Sequence, residues 1–103
     1  MQPSGTDLLR KIYSINDSFN WIETEADKLM TEFEGLMHVY ENEIMSDEDY
    51  DKLEEIYNRM GELESRARLN TKMYNASVHE ARKYFMQQYN ALLPPDITEI
   101  PEN

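Results

Sequence analysis

Asp47, Asp49 and Asp51 come closest to a ligand set in this sequence. Their D-x-D-x-D spacing matches the opening of a calcium loop, which also needs Gly at its sixth position and a bidentate Glu at its twelfth. Lys52 and Asn58 stand there instead, and on a helix the three carboxylates splay apart. Weak, nonspecific association with divalent cations is all this spacing supports. A second constellation, Glu34, His38 and Glu41, follows one helical stripe at spacings of 4 and 3. A dinuclear carboxylate centre needs paired Glu-x-x-His motifs on separate helices, and His79-Glu80 does not supply one. Both histidines read as surface residues. With no Cys there is no thiolate ligand, nucleophile or disulfide. Three Gly and two His build neither a phosphate loop nor a nucleophile elbow. The expectation is a protein that is not an enzyme, holds no cofactor and acts by contact.

The elements that would carry such contacts are helices. Leu8, Ile12, Ile15, Phe19, Ile22, Ala26, Leu29, Phe33, Leu36 and Tyr40 recur at spacings of 4 and 3, a seam that packs along a partner helix. Period-two alternation is absent, so strands are not expected. Ser4 with Asp7, or Thr6, caps the start, and Ser14–Ser18 is rich enough in backbone-bonding side chains to kink the helix. Ser46-Asp47-Glu48-Asp49 reads as a capping box that opens a second helix, with its acids at the positive end of the dipole. Leu53, Ile56, Met60, Leu63 and Ala67 repeat the seam, and Gly61 weakens it by ~1 kcal/mol relative to Ala. Asn70 and Ser77 then occupy positions that should be apolar. The pattern resumes in a shifted phase at Tyr74, Val78, Ala81, Phe85 and Leu92, either as a stutter or as a break.

Pro94-Pro95 stops the helix. The chain is expected to be all-α: a long antiparallel helical hairpin, coiled-coil-like, forming one helical domain over residues 1–93. Its helices lie at about 6–45 and 47–93, with a candidate break near 68–77, and residues 94–103 form an extended acidic Pro-containing tail. One hairpin buries one seam, so a fold-back into a three-helix bundle or dimerisation into a four-helix bundle would complete the core. At 103 residues that core is modest. Phe19, Phe33, Tyr40 and Phe85 belong to it, Met30, Met37, Met60, Met73 and Met86 fill gaps in it, and Trp21 flanks it. No basic, apolar leader opens the sequence, and no stretch nears the ~20 apolar residues that span a bilayer. A soluble cytoplasmic protein is expected.

Charge is the most informative functional feature. Ten Lys and Arg face twenty-one Asp and Glu, a net charge of −11. Residues 17–65 hold sixteen acids against Lys28, Lys52 and Arg59, or 3 − 16 = −13, whereas residues 66–86 hold five bases against Glu80, or +4. Laid side by side, the acidic stretches span ~43 Å of helix with about one charge per 3.3 Å, near the ~3.4 Å per phosphate of one DNA strand. Nearly all these acids fall outside the seam, Glu43 excepted. A solvated face explains such acids plainly, but few lysines stand at the i,i+4 positions that usually support such a face.

The expected function is that of an acidic inhibitor placed as a DNA mimic in the basic nucleic-acid groove of a target enzyme, similar in character to the small acidic helical inhibitors that phages and mobile elements encode. The likeness is one of composition and shape. Anti-CRISPR or anti-restriction action, in a host cytoplasm, is its most concrete form. Glu41, Glu43, Asp47, Glu48, Asp49, Asp51, Glu54 and Glu55 would pair with the target's Arg and Lys, and Tyr50 and Tyr57 would add apolar contact. Neither nucleic acid nor a membrane would be bound directly. The rival is a structural coiled-coil adaptor, whose seam does the work and whose charge keeps it dissolved.

Overall fold

A computed structural model describes residues 4–41 and 43–102; Met1–Pro3, Asn42 and Asn103 lie outside the described residues. Two helices, α1 (Gly5–Val39) and α2 (Asp47–Tyr89), account for the secondary structure. The chain divides into two compact units. One combines the chain up to Phe19 with the chain from Arg68 onward, and the other is Asn20–Ala67. In the first, Gly5 lies against Tyr84 and Phe85, and the Phe19 and Tyr74 rings meet edge to face at 6.3 Å. In the second, Trp21 faces Arg66, Glu25 meets Arg59 and Phe33 meets Tyr57. Rising numbers on α1 meet falling numbers on α2 in both units, so the fold is an all-α antiparallel helical hairpin.

The start of α1 is a capping box, and Ser46 caps α2 with its hydroxyl shared by Asp49. The Ser4 amide points to the Asp7 carboxylate at 3.4 Å while the Asp7 amide donates to Ser4 Oγ at 3.2 Å. Before α2, the Asp49 amide donates to Ser46 Oγ at 3.3 Å and the Ser46 hydroxyl to Asp49 Oδ2 at 2.7 Å. Each cap satisfies amides that the first helical turn leaves without a partner. Ser14–Ser18 does not interrupt α1, because Ser18 turns its hydroxyl back onto the Ser14 carbonyl. The helix ends at Val39 with a tight turn, Tyr40 N–H to Met37 C=O at 3.2 Å. The periodicity extends it to Ile44-Met45. Glu41 and Glu43 oppose that extension, since carboxylates are disfavoured beside the carbonyl end of a helix.

All ten seam positions, nine on α1 and Tyr40 in the turn after it, are buried or half-buried. On α2 the seam also continues without a break: Leu53, Ile56, Met60, Leu63, Ala67, Asn70, Tyr74 and Ser77 keep the 3/4 spacing and all face inward. The helix is unbroken through 68–77, and the polar pair occupies core positions instead of marking a stutter. Asn70 Nδ2 is buried with no hydrogen-bond partner among the described residues. Burial of an unpaired amide is unfavourable. Met30, Met73 and Met86, expected to fill the core, are largely exposed.

The core of the first unit is Leu8, Ile12, Ile15, Tyr74, Val78, Ala81 and Ile97. Ile97 lies beyond α2, so the third layer here is a non-helical segment. Burial, then the Asp96 carboxylate and Tyr13, push the Tyr74 hydroxyl above its ordinary 10.0. The folded state therefore favours the neutral phenol. That contribution is complete below pH 10 and is lost as pH rises through the elevated value. The urea midpoint is expected to fall above pH 10, and Tyr74→Phe to lessen the fall.

Gly5 sits where a Cβ would come within 2.9 Å of the Phe85 ring, so glycine permits close approach at the start of α1. Gly35 and Gly61, by contrast, lie inside helices with nothing within 4 Å of a built Cβ. Alanine there restricts the unfolded chain without a clash. Gly35→Ala with Gly61→Ala is expected to stabilise by about 1–2 kcal/mol, read as a melting temperature higher by several degrees.

Candidate acidic binding surface

The partition of charge between the two units is complete. Asn20–Ala67 carries fifteen Asp and Glu against Lys28, Lys52, Arg59 and Arg66, a balance of 4 − 15 = −11. The remainder carries six acids and six bases and is neutral. The whole net charge of the chain therefore belongs to one unit. Of its carboxylates, all but Glu25 and Asp49 are on exposed residues.

Those two are drawn inward by specific partners. Glu25 receives Lys28 Nζ at 3.2 Å and, across the helix pair, Arg59 Nη2 at 3.7 Å. Asp49 is held by its Ser46 cap, with Lys52 Nζ at 3.9 Å. Three of the four cations of this unit are thus engaged with acids that face inward. The fourth, Arg66, covers the Trp21 ring, with the guanidinium carbon 5.2 Å from its centroid. Trp21 is still 47% exposed.

The carboxylates proposed for partner contact are therefore left uncompensated. Glu43, Asp47, Glu48, Asp51, Glu54 and Glu55 have no cation within ion-pair distance among the described residues. Glu41 lies 3.7 Å from His38 Nδ1, a charged pair only when the imidazole is protonated. Helical spacing gathers Glu48, Asp51 and Glu55 on one stripe of α2, and Asp47, Asp51 and Glu54 on the next. Tyr50 and Tyr57 are both 58% exposed. Tyr57 also leans on Phe33, with ring centroids 6.1 Å apart, so its ring is anchored and its edge is wet. Asp49 alone of these residues is half-buried, and its carboxylate serves the helix cap.

Sequence reasoning missed a cleft of about 320 Å³ in this unit, floored by Leu29, Leu36 and Ile56 and rimmed by Glu32, Glu55, Lys52 and Arg59. The period-3.5 seam marked its floor but could not reveal that the helices leave space above it. Among the described residues no group of three His, Asp or Glu is placed to hold a metal ion, and no helix is long and apolar enough to cross a membrane. No protein-family model matches the chain, and no match was found among curated proteins or solved structures.

Proposed function

We propose that this protein binds the basic nucleic-acid groove of a target protein through the acidic unit Asn20–Ala67, and inhibits the target by occupying that groove. The observation that carries this reading is the charge partition: a balance of −11 on one unit with nearly every carboxylate outward, beside a neutral unit that holds most of the fully buried core. Like charges left unpaired on neighbouring helical turns destabilise the helix they sit on. Three cations that would relieve that repulsion, Lys28, Lys52 and Arg59, are turned toward Glu25 and Asp49. What remains outside is a polyanion on a rigid support, complementary to clefts lined by Arg and Lys. An anti-CRISPR or anti-restriction inhibitor working in a host cytoplasm is the most concrete form of this proposal.

Tagged protein immobilised at low salt and exposed to host extract is expected to retain a nuclease, polymerase or other nucleic-acid-binding enzyme. The complex should dissociate steeply as salt is raised, because paired surface charges are screened. Binding that holds equally at low and high salt contradicts the proposal. The adaptor reading draws on the continuous seam, whose positions on α1 are all at least half-buried. It predicts the opposite sensitivity: replacement of the outward acids is harmless and Leu29→Asp abolishes activity.

A further inference from the structure

Beyond α2, residues 91–102 follow the surface of the first unit and are held there by four kinds of contact. Ile97 is only 4% exposed and joins Leu8, Ile12, Tyr74, Val78 and Ala81, while Leu93 and Ile100 pack against the same cluster. Asn75 reads the backbone of Ile100 with both ends of its amide: Nδ2–H donates to the carbonyl at 2.8 Å, and Oδ1 accepts from the amide at 2.7 Å. Arg82 Nη1 reaches Glu99 Oε1 at 3.3 Å. The Ile97 amide closes a turn onto the Pro94 carbonyl at 3.0 Å, with Pro95 at the turn position that proline favours. An extended, acidic, proline-bearing segment is thereby seated in an apolar groove between helices.

The junction that feeds this segment has a competing conformation. Helical spacing and the proline stop carry α2 to Leu93, the residue at which Pro94 must end it. The helix instead stops at Tyr89 in a Schellman cap: Asn90 turns left-handed with φ 49°, its amide donating to Met86 C=O at 3.1 Å and the Ala91 amide to Phe85 C=O at 3.2 Å. Leu92 gains nothing from the bend, since it is 81% exposed. Docking of Ile97 and Ile100 adds to this cap in favouring the bent chain over a helix continued to Leu93.

We propose that residues 91–102 form an exchangeable strap, and that the groove they fill accepts the same segment from a second copy of this chain. The observation that names this occupant is the fit itself. Asn75, Arg82 and the buried cluster recognise this sequence, and every copy carries it. The groove residues lie on α1 and on α2 before the bend, so exchange transfers each contact unchanged between molecules. Straightening α2 through Leu93 releases the strap outward. Because the segment competes with itself at the high effective concentration of a tethered ligand, exchange rises with protein concentration. This inference concerns the neutral unit and stands or falls separately from the binding role of the acidic one.

The absence of cysteine allows a direct test. Full-length Arg82→Cys and Glu99→Cys proteins, each bearing one thiol at an exposed position, are mixed over a range of concentrations and treated with a short bis-maleimide. The expected result is a covalent heterodimer that grows with concentration, exceeds the dimer formed by either protein alone, and disappears when Ile97→Asp is added while helical content is kept. The double variant should cross-link within one molecule at low concentration. A mixture that yields no more dimer than the single variants overturns the inference, as does a double variant that fails to cross-link internally.

Discussion

Replacing Glu48, Asp51, Glu54 and Glu55 together by lysine is expected to weaken binding to a captured basic target on the order of 10³-fold while leaving helical content unchanged. Each carboxylate is on an exposed residue of α2 with no cation within ion-pair distance among the described residues, so none anchors the fold through an ion pair. A solvent-accessible charge pair across an interface contributes up to about 1 kcal/mol. Four such pairs give about 4 kcal/mol, or roughly three powers of ten in affinity, and the reversed charges add repulsion. Lysine at Glu48 opposes the dipole at the start of α2, while the other three replacements lower the unpaired negative charge of the helix, so thermal stability should change little. The measurement is affinity and melting temperature on the same preparations. A loss of binding accompanied by unfolding would not support the charge argument.

The second large effect lies in the core of the neutral unit. Ile12→Ala is expected to destabilise the protein by about 2–5 kcal/mol, through lost transfer energy and the cavity left behind. Ile12 is 1% exposed and packs in the cluster with Leu8, Val78, Ala81 and Ile97. Proteins of this size are stable by only about 5–15 kcal/mol, so the variant should melt many degrees lower or be partly unfolded at room temperature. Denaturant unfolding followed by circular dichroism reads the change. The same substitution at the half-buried Leu63 should be milder, because less apolar surface is removed from a less complete shell.

Much of this architecture was legible in the residues. The seam of α1 and both helix caps are local signals, written in spacings of three and four, and the structure follows them closely. Three features were not legible, each for a physical reason. Asn70 and Ser77 look like an interruption because periodicity is read from hydrophobicity, yet a helix buries whatever stands at its seam once neighbours on both sides are anchored. The end of α1 at Val39 depends on acids beside the terminal carbonyls, an electrostatic effect that apolar spacing ignores. The strap reads as a tail because its stabilising contacts, Asn75 with Ile100 and Arg82 with Glu99, join residues 25 and 17 positions apart. Within the candidate site the outward acids were legible as non-seam positions. The inward turn of Glu25 and Asp49 was not, since it needs Arg59 from the opposite helix and the hydroxyl of Ser46.

That inward turn bears on the whole functional reading. A surface whose acids were matched by neighbouring lysines would present little field to a partner, whatever its net charge. Here the engaged cations serve acids at the helix contact or the helix cap, and Glu48, Asp51, Glu54 and Glu55 on α2 have no ion-pair partner among the described residues. Under the proposed function, the neutral unit is the support and the acidic unit the contact surface.

Competition for a single target between this protein and a DNA oligonucleotide tests that division of labour most directly. With a nucleic-acid-binding enzyme captured from extract, the apparent dissociation constant of the protein should climb in proportion to added DNA, and no ternary complex should form. A ternary complex in which the protein binds with unaltered affinity would contradict the account.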